Sequence, residues 1–276
     1  MELWDVEACI HVLQEVLPEP HAGLLAGLLF GVKTSVPKEL YTALVSSGTL
    51  HIIALSGMNI SIISRMVQGG LVPVVGQRVA SLGTLFLIVW FVWFVGPSPS
   101  IVRAAIMGGL SLMATVLGRQ YWALYAWCLA VVGMLLFHPL WIGDISFQLS
   151  VFATLGIILF GTSRVASLSQ HQSIQWKRVV MGMIRDNFHL TLAAQVFTIP
   201  IIFWYFHRIS LVSPIANLLI GWVISPLTGV GWITVIASVV WLPLGRMIAW
   251  IDWIGLEYLI QTIYFVSKLP FASIGI

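Results

Sequence analysis

The chain has 276 residues, 59% hydrophobic and 8% charged, with a formal net charge of +3. Soluble domains carry about 25% charged residues, so this composition excludes a water-facing globular surface, and so small a net charge is no nucleic-acid signature. Continuous apolar runs such as SLGTLFLIVWFVWFVG and WALYAWCLAVVGMLLF exclude a transmembrane β-barrel, whose strands alternate over about ten residues, and leave helices to satisfy the backbone in lipid.

The expected fold is therefore all-α: a polytopic integral membrane helical bundle with short, broken and re-entrant helices. It divides into an interfacial helix over 1–21 and a transmembrane domain over 22–276. Leu3, Val6, Ile10, Leu13 and Leu17 recur at helical spacing, and Glu2, Asp5, Glu7, Glu15 and Glu19 cover much of the remaining face. That pattern predicts an amphipathic helix at the membrane surface, ending near Pro18 and Pro20; a soluble interaction helix is the alternative. HAGLLAGLLFGV is shorter than the roughly 20 residues a crossing needs, which predicts a half-helix or re-entrant segment. Gly23, Gly27 and Gly31 give it a smooth packing stripe. KTSVPKELYTALVSSGTL is amphipathic and suits a cavity wall or the interface.

Spans follow at roughly 52–67, 71–95, 100–117, 122–138, 145–161, 188–206, 211–224, 226–243 and 246–267. Pro73 and Gly76 interrupt one of them, and Pro99, Pro200, Pro214 and Pro226 are candidate helix breaks. Arg164, Lys177, Arg178 and Arg185 face one acid, Asp186, in 162–187, and this excess places that segment in the cytoplasm. Cys9 and Cys128 form no disulfide or metal pattern.

Polar side chains inside apolar spans are costly, so each is a functional or helix-joining candidate. On an ideal helix His51, Ser56 and Asn59 share about 140° of arc, with Gly57 permitting a bend or a close neighbour; pore lining and helix joining are equally open. In GPSPSIVRAAIMGGLS, Ser100 can cap a helix and Arg103 follows about one turn in. A guanidinium there suits phosphate or can snorkel to the interface. Asp144 and Gln148 share a helix face; Asp144 fits both a plain N-cap and a partner for Arg103. Gln195 precedes Pro200, and Asn217 follows Pro214, where a lone asparagine often joins helices. HExxH, GxSxG and a phosphate-binding glycine loop are all missing. The expectation is no catalytic residue, no metal and no cofactor: not an enzyme.

Four motifs, in order, resemble a known family. LLAGLLFGVKTSVPKELYTALVSSGTLHIIALSGMNISII is similar to the start of the competence domain of ComEC-type DNA-uptake channels. PSPSIVRAAIM, DISFQLSVFATLGI and LTLAAQVFTIPIIFWYFHRISLVSPIANLLIGWVISPL resemble its later motifs. The resemblance runs from about Leu17 to the C-terminus and makes 22–276 a competence-type transmembrane channel domain. It implies a multi-pass channel of the bacterial inner membrane that imports single-stranded DNA into the cytoplasm during natural transformation. The residues it points to are His51, Ser56, Gly57, Asn59, Pro99, Arg103, Asp144, Phe147, Gln148, Ser150, Gln195, Pro200, Pro214 and Asn217. Many relatives carry histidine where this chain has Asn59. Implied partners are single-stranded DNA, the lipid bilayer, separate or missing soluble DNA-binding and nuclease domains, and a cytoplasmic DNA-pulling ATPase. The chain is expected to be a lone channel module without metallo-β-lactamase chemistry. A small-solute transporter or other polytopic pore is the alternative.

Overall fold

Helices of three kinds follow from the sequence: long apolar ones, short amphipathic ones, and one short helix that is apolar all round. The computed structural model describes residues 5–32, 36–53, 57–161, 176–206, 208–209, 212–269 and 274–275. Among these, ten α-helices run in the order α1 (Val6–Val16), α2 (His21–Phe30), α3 (Lys38–Ser46), α4 (Gly57–Val95), α5 (Pro99–Leu117), α6 (Ala123–Phe137), α7 (Ile145–Gly156), α8 (Trp176–Phe206), α9 (Ser213–Val240) and α10 (Leu242–Ser267). The one extended pairing among them is antiparallel, Arg208 with Gly275 and Ile209 with Ile274. Helices α4, α5 and α9 are long and apolar enough to cross a membrane. The outer surface suits lipid, with Phe86 76%, Trp93 79% and Phe137 84% exposed.

Helix α4 is a hairpin. Gly76 has φ 78° and ψ 165°, a left-handed region open to glycine and disfavoured for other residues. In a straight helix Ile60 and Ile88 would lie about 42 Å apart. Instead, a β-carbon added at Gly108 of α5 would be 3.8 Å from Ile60 and 3.9 Å from Ile88. The limbs 57–75 and 77–95 thus fold back on each other, each about 28 Å long, close to the thickness of a bilayer core. Two spans exist here as expected; the interruption expected at Gly76 is where the chain reverses, while Pro73 and the expected gap at 68–70 lie within the helix. Gly69 and Gly70 stay helical, as glycine in a helix is tolerated at a modest cost.

Four expected breaks are corrected. Helix α9 runs unbroken through Pro226 and α8 through Pro200, so 211–224 and 226–243 are one helix. Each proline removes one backbone hydrogen bond, but abandoning the helix in lipid would strand many more. Pro99 and Pro214 stand in the first turn of α5 and α9, where the missing N–H costs nothing; they start helices rather than break them. The basic segment enters helix at Trp176, and 162–175, including Arg164, lies outside the described residues.

Every residue of α2 is buried. It packs among α1, α9 and α10, as a short helix apolar on all faces must. A β-carbon at Gly27 would meet Ile53 at 3.0 Å, so one member of the predicted glycine stripe admits a close neighbour. Cys9 and Leu13 of α1 join the same core. Beside this core, α10 packs along α9, and contacts run α4 to α5, α5 to α7, α7 to α8, α8 to α9 and α9 back to α4. These contacts link the five helices in a ring.

Candidate functional site

The ring carries the polar residues that the sequence singled out, in three groups. In the first, Arg103 extends from α5 to α7, where its Nε donates to Ser150 Oγ at 2.8 Å. One terminal nitrogen reaches Met107 Sδ at 3.6 Å. The other lies 3.5 Å from where a β-carbon on Gly57 would be, and Ala104 Cβ lies 2.9 Å from that point. Gly57 therefore lets α4 approach α5 closely and admits the guanidinium between them. The ion pairs among the described residues are His11–Glu15 and His21–Glu257; Arg103 is in neither.

Asp144 is not the partner of Arg103. It is the N-cap of α7, accepting from the Phe147 backbone N–H at 3.0 Å, and a carboxylate is stabilised at that helix end. Gln148, one turn on, donates to the Ile142 carbonyl at 2.8 Å and to the Tyr205 hydroxyl at 3.2 Å.

The second group joins α8, α9 and the turn after α3. Gln195 and Asn217 each donate to Ser213 Oγ at 3.5 Å. Ser213 in turn donates to the Gly48 carbonyl at 3.3 Å. His51 follows Gly48 by three residues. It stands in a 3-10 turn, Leu50–Ile52, ahead of α4, so the single helix face expected for His51, Ser56 and Asn59 is not formed. Ser56 lies outside the described residues. The sequence reading missed Ser213, the hinge of this group; its position directly before Pro214 at a helix start was the available signal.

In the third group, Asn59 is 3% exposed. Its Nδ2 donates to the Leu28 carbonyl at 2.7 Å. Leu28 lies in the last turn of α2, where carbonyls have no partner along the helix. Asn59 is thus a cap supplied from another helix. A histidine N–H can make the same donation.

Two pairs, one buried and one half-buried, escaped the sequence reading. Asp252 of α10 is fully buried and accepts from Thr234 of α9. His21 of α2 lies 2.8 Å from Glu257 of α10 and stacks on Trp253 with ring centres 5.5 Å apart. Acids inside WIDWIGLEYLI were the visible signal for both. No cluster of metal-ligating side chains occurs among the described residues.

Long apolar helices with a lipid-suited outer surface and polar side chains joined between them define a helical membrane protein. The chain belongs to the Competence protein family, whose model matches residues 28–276; this is the family its four motifs resemble. The ComE operon protein 3 of Bacillus subtilis (strain 168) is 27% identical over 215 residues, 76% of this chain and 26% of that protein. The uncharacterized protein YcaI of Escherichia coli (strain K12) is 28% identical over 212 residues, 73% of this chain and 27% of that protein. An uncharacterized protein of Aquifex aeolicus (strain VF5) is 26% identical over 169 residues, 57% of this chain and 40% of that one. The chain spans about a quarter of the length of the first two relatives. No solved structure matches it.

Proposed function

We propose that the chain is the membrane-embedded conduit of a competence apparatus, passing single-stranded DNA across the bacterial inner membrane into the cytoplasm. The family match over 28–276 carries this reading. The ring geometry supports it: a polyanion needs cationic and donor groups along its route, held loosely enough to release. Arg103 keeps its charge uncompensated by any described carboxylate, and Ser150, Gln148, Gln195 and Asn217 place further polar groups on neighbouring helices. On this reading the partners are single-stranded DNA, soluble DNA-binding and nuclease domains and a DNA-pulling ATPase; the chain's own part is passage, with no catalytic step.

The test is uptake of labelled DNA by cells that depend on this protein, compared at equal membrane levels. A hydrogen bond to a charged group contributes about 1.5–3 kcal/mol, so Arg103→Ala should cut uptake at least about tenfold. Arg103→Lys, which keeps the charge but loses the forked geometry, should fall between. Undiminished uptake in Arg103→Ala would remove Arg103 from the route.

A further inference from the structure

The first limb of α4 carries an arginine that the groups above leave unused. Arg65 lies about 12 Å along the helix from Gly57 and about 16 Å from the bend at Gly76, near the middle of a limb as long as the bilayer core. It is exposed. Its Nε donates to the Ser61 carbonyl at 3.2 Å, and its terminal nitrogens have no hydrogen-bond or ion-pair partner among the described residues. Arginines that snorkel do so from helix ends. A guanidinium held at mid-depth on a lipid-facing surface is costly, so this face points to water or to a polar ligand.

The packing of the limb identifies that face. Gly57, Ser61, Arg65 and Gln68 fall within about 80° of arc. Asn59 points away toward α2, Ile60 and Ile63 pack toward the second limb, and Met66 Sδ lies 3.6 Å from where a β-carbon on Gly229 of α9 would be. At the Gly57 end the stripe meets the guanidinium of Arg103, which at that point is bonded to Ser150 of α7. The stripe therefore lies open between the α5 and α9 contacts of α4, and its Gly57 end adjoins the Arg103–Ser150 bond to α7.

We propose that Ser61, Arg65 and Gln68 form the wall of the DNA route below Arg103, with Arg65 contacting the phosphodiester backbone. This rests on the conduit reading and extends it. Two guanidiniums on one wall, roughly two helical turns apart, give successive contacts to a strand whose phosphates repeat along its length. Neither contact reads a base, so passage is independent of sequence.

The test is thiol labelling of the full protein in membranes, in a Cys9→Ala, Cys128→Ala background, with a small cationic methanethiosulfonate reagent. Single cysteines replace Ser61, Arg65, Gln68 and Ser150, and Phe86→Cys is the lipid-facing control. Thiolates are suppressed in apolar surroundings, so positions 61, 65 and 68 should label at least about tenfold faster than 86. A single-stranded oligonucleotide should slow labelling at 61, 65 and 150 together. Slow labelling at 61, 65 and 68 overturns the inference, and so does a disulfide-linked dimer through position 65, which would put the stripe between two copies. Protection at 150 alone overturns the inference and leaves the conduit reading standing. Protection at none of these positions overturns both.

Discussion

Replacing Asn59 by leucine isolates the bond that holds the buried helix α2 to α4. The side-chain volume is nearly kept, and one interaction is lost: Nδ2 to the Leu28 carbonyl, 2.7 Å. That carbonyl is in the last turn of α2, where only Gly27 O receives the capping N–H of Gly31. A buried acceptor left unpaired costs about 1–3 kcal/mol, while hydrogen bonds between membrane helices average about 0.6 and reach about 1.7. The expected loss is about 1–2 kcal/mol, a fall of roughly 2–8 °C in the unfolding midpoint for a chain of this size. Asn59→His retains an N–H donor and should stay within about 1 kcal/mol of the parent. Asn59→Asp offers no N–H when ionised and sets a charge against the carbonyl, so it should be worse than leucine. Thermal unfolding of the detergent-solubilised protein ranks the three. If leucine matches the parent, or histidine falls as far as leucine, capping of α2 is not what Asn59 does.

Gly156→Ala should destabilise by about 1–3 kcal/mol or more, because the new β-carbon would collide with the backbone carbonyl of Ala193 and force α7 from α8. Gly69→Ala, with open space around it, should be neutral or gain about 0.5–1 kcal/mol, and unfolding midpoints of the pair check the contrast. Asp252→Asn keeps an acceptor for Thr234 and removes a buried charge, so it should unfold at or above the parent's midpoint; a drop beyond about 2 kcal/mol would mean that the carboxyl group itself is required. Ser150→Ala removes the partner of Arg103 Nε and should lower DNA uptake less than Arg103→Ala, since the charge remains in place.

Composition made the class legible, because so few charges leave lipid as the only solvent for the outer surface. The shortness of α2 was legible from segment length, and of the bend or close neighbour that Gly57 permits, the structure forms the close neighbour. Proline was the least reliable sign: Pro226 and Pro200 break soluble helices, but in lipid the surrounding backbone has no competing solvent and the helix continues. Contacts between distant segments were out of reach of any periodicity. Asn59 meets Leu28 across 31 residues, and Arg103 meets Ser150 across 47. Helix spacing says that such side chains are expensive, not which partner offsets the cost. The pairing of Arg103 with Asp144 failed for that reason, as the nearer need of Asp144 was the open N-terminus of its own helix. Asp252 was readable as an acid in an apolar run, and Arg65 as a cation in one, while the face that Arg65 occupies followed only from the reversal at Gly76.

The proposed passage of single-stranded DNA has a direct test. The most direct measurement places the protein, expressed from its own gene, in liposomes that enclose a single-strand-specific exonuclease, and follows degradation of fluorescent oligonucleotide added outside. The account predicts degradation well above that in empty liposomes, faster for single strands than for duplexes, and diminished in Arg103→Ala. Degradation no greater than in empty liposomes, from protein shown to be folded and inserted, would contradict it.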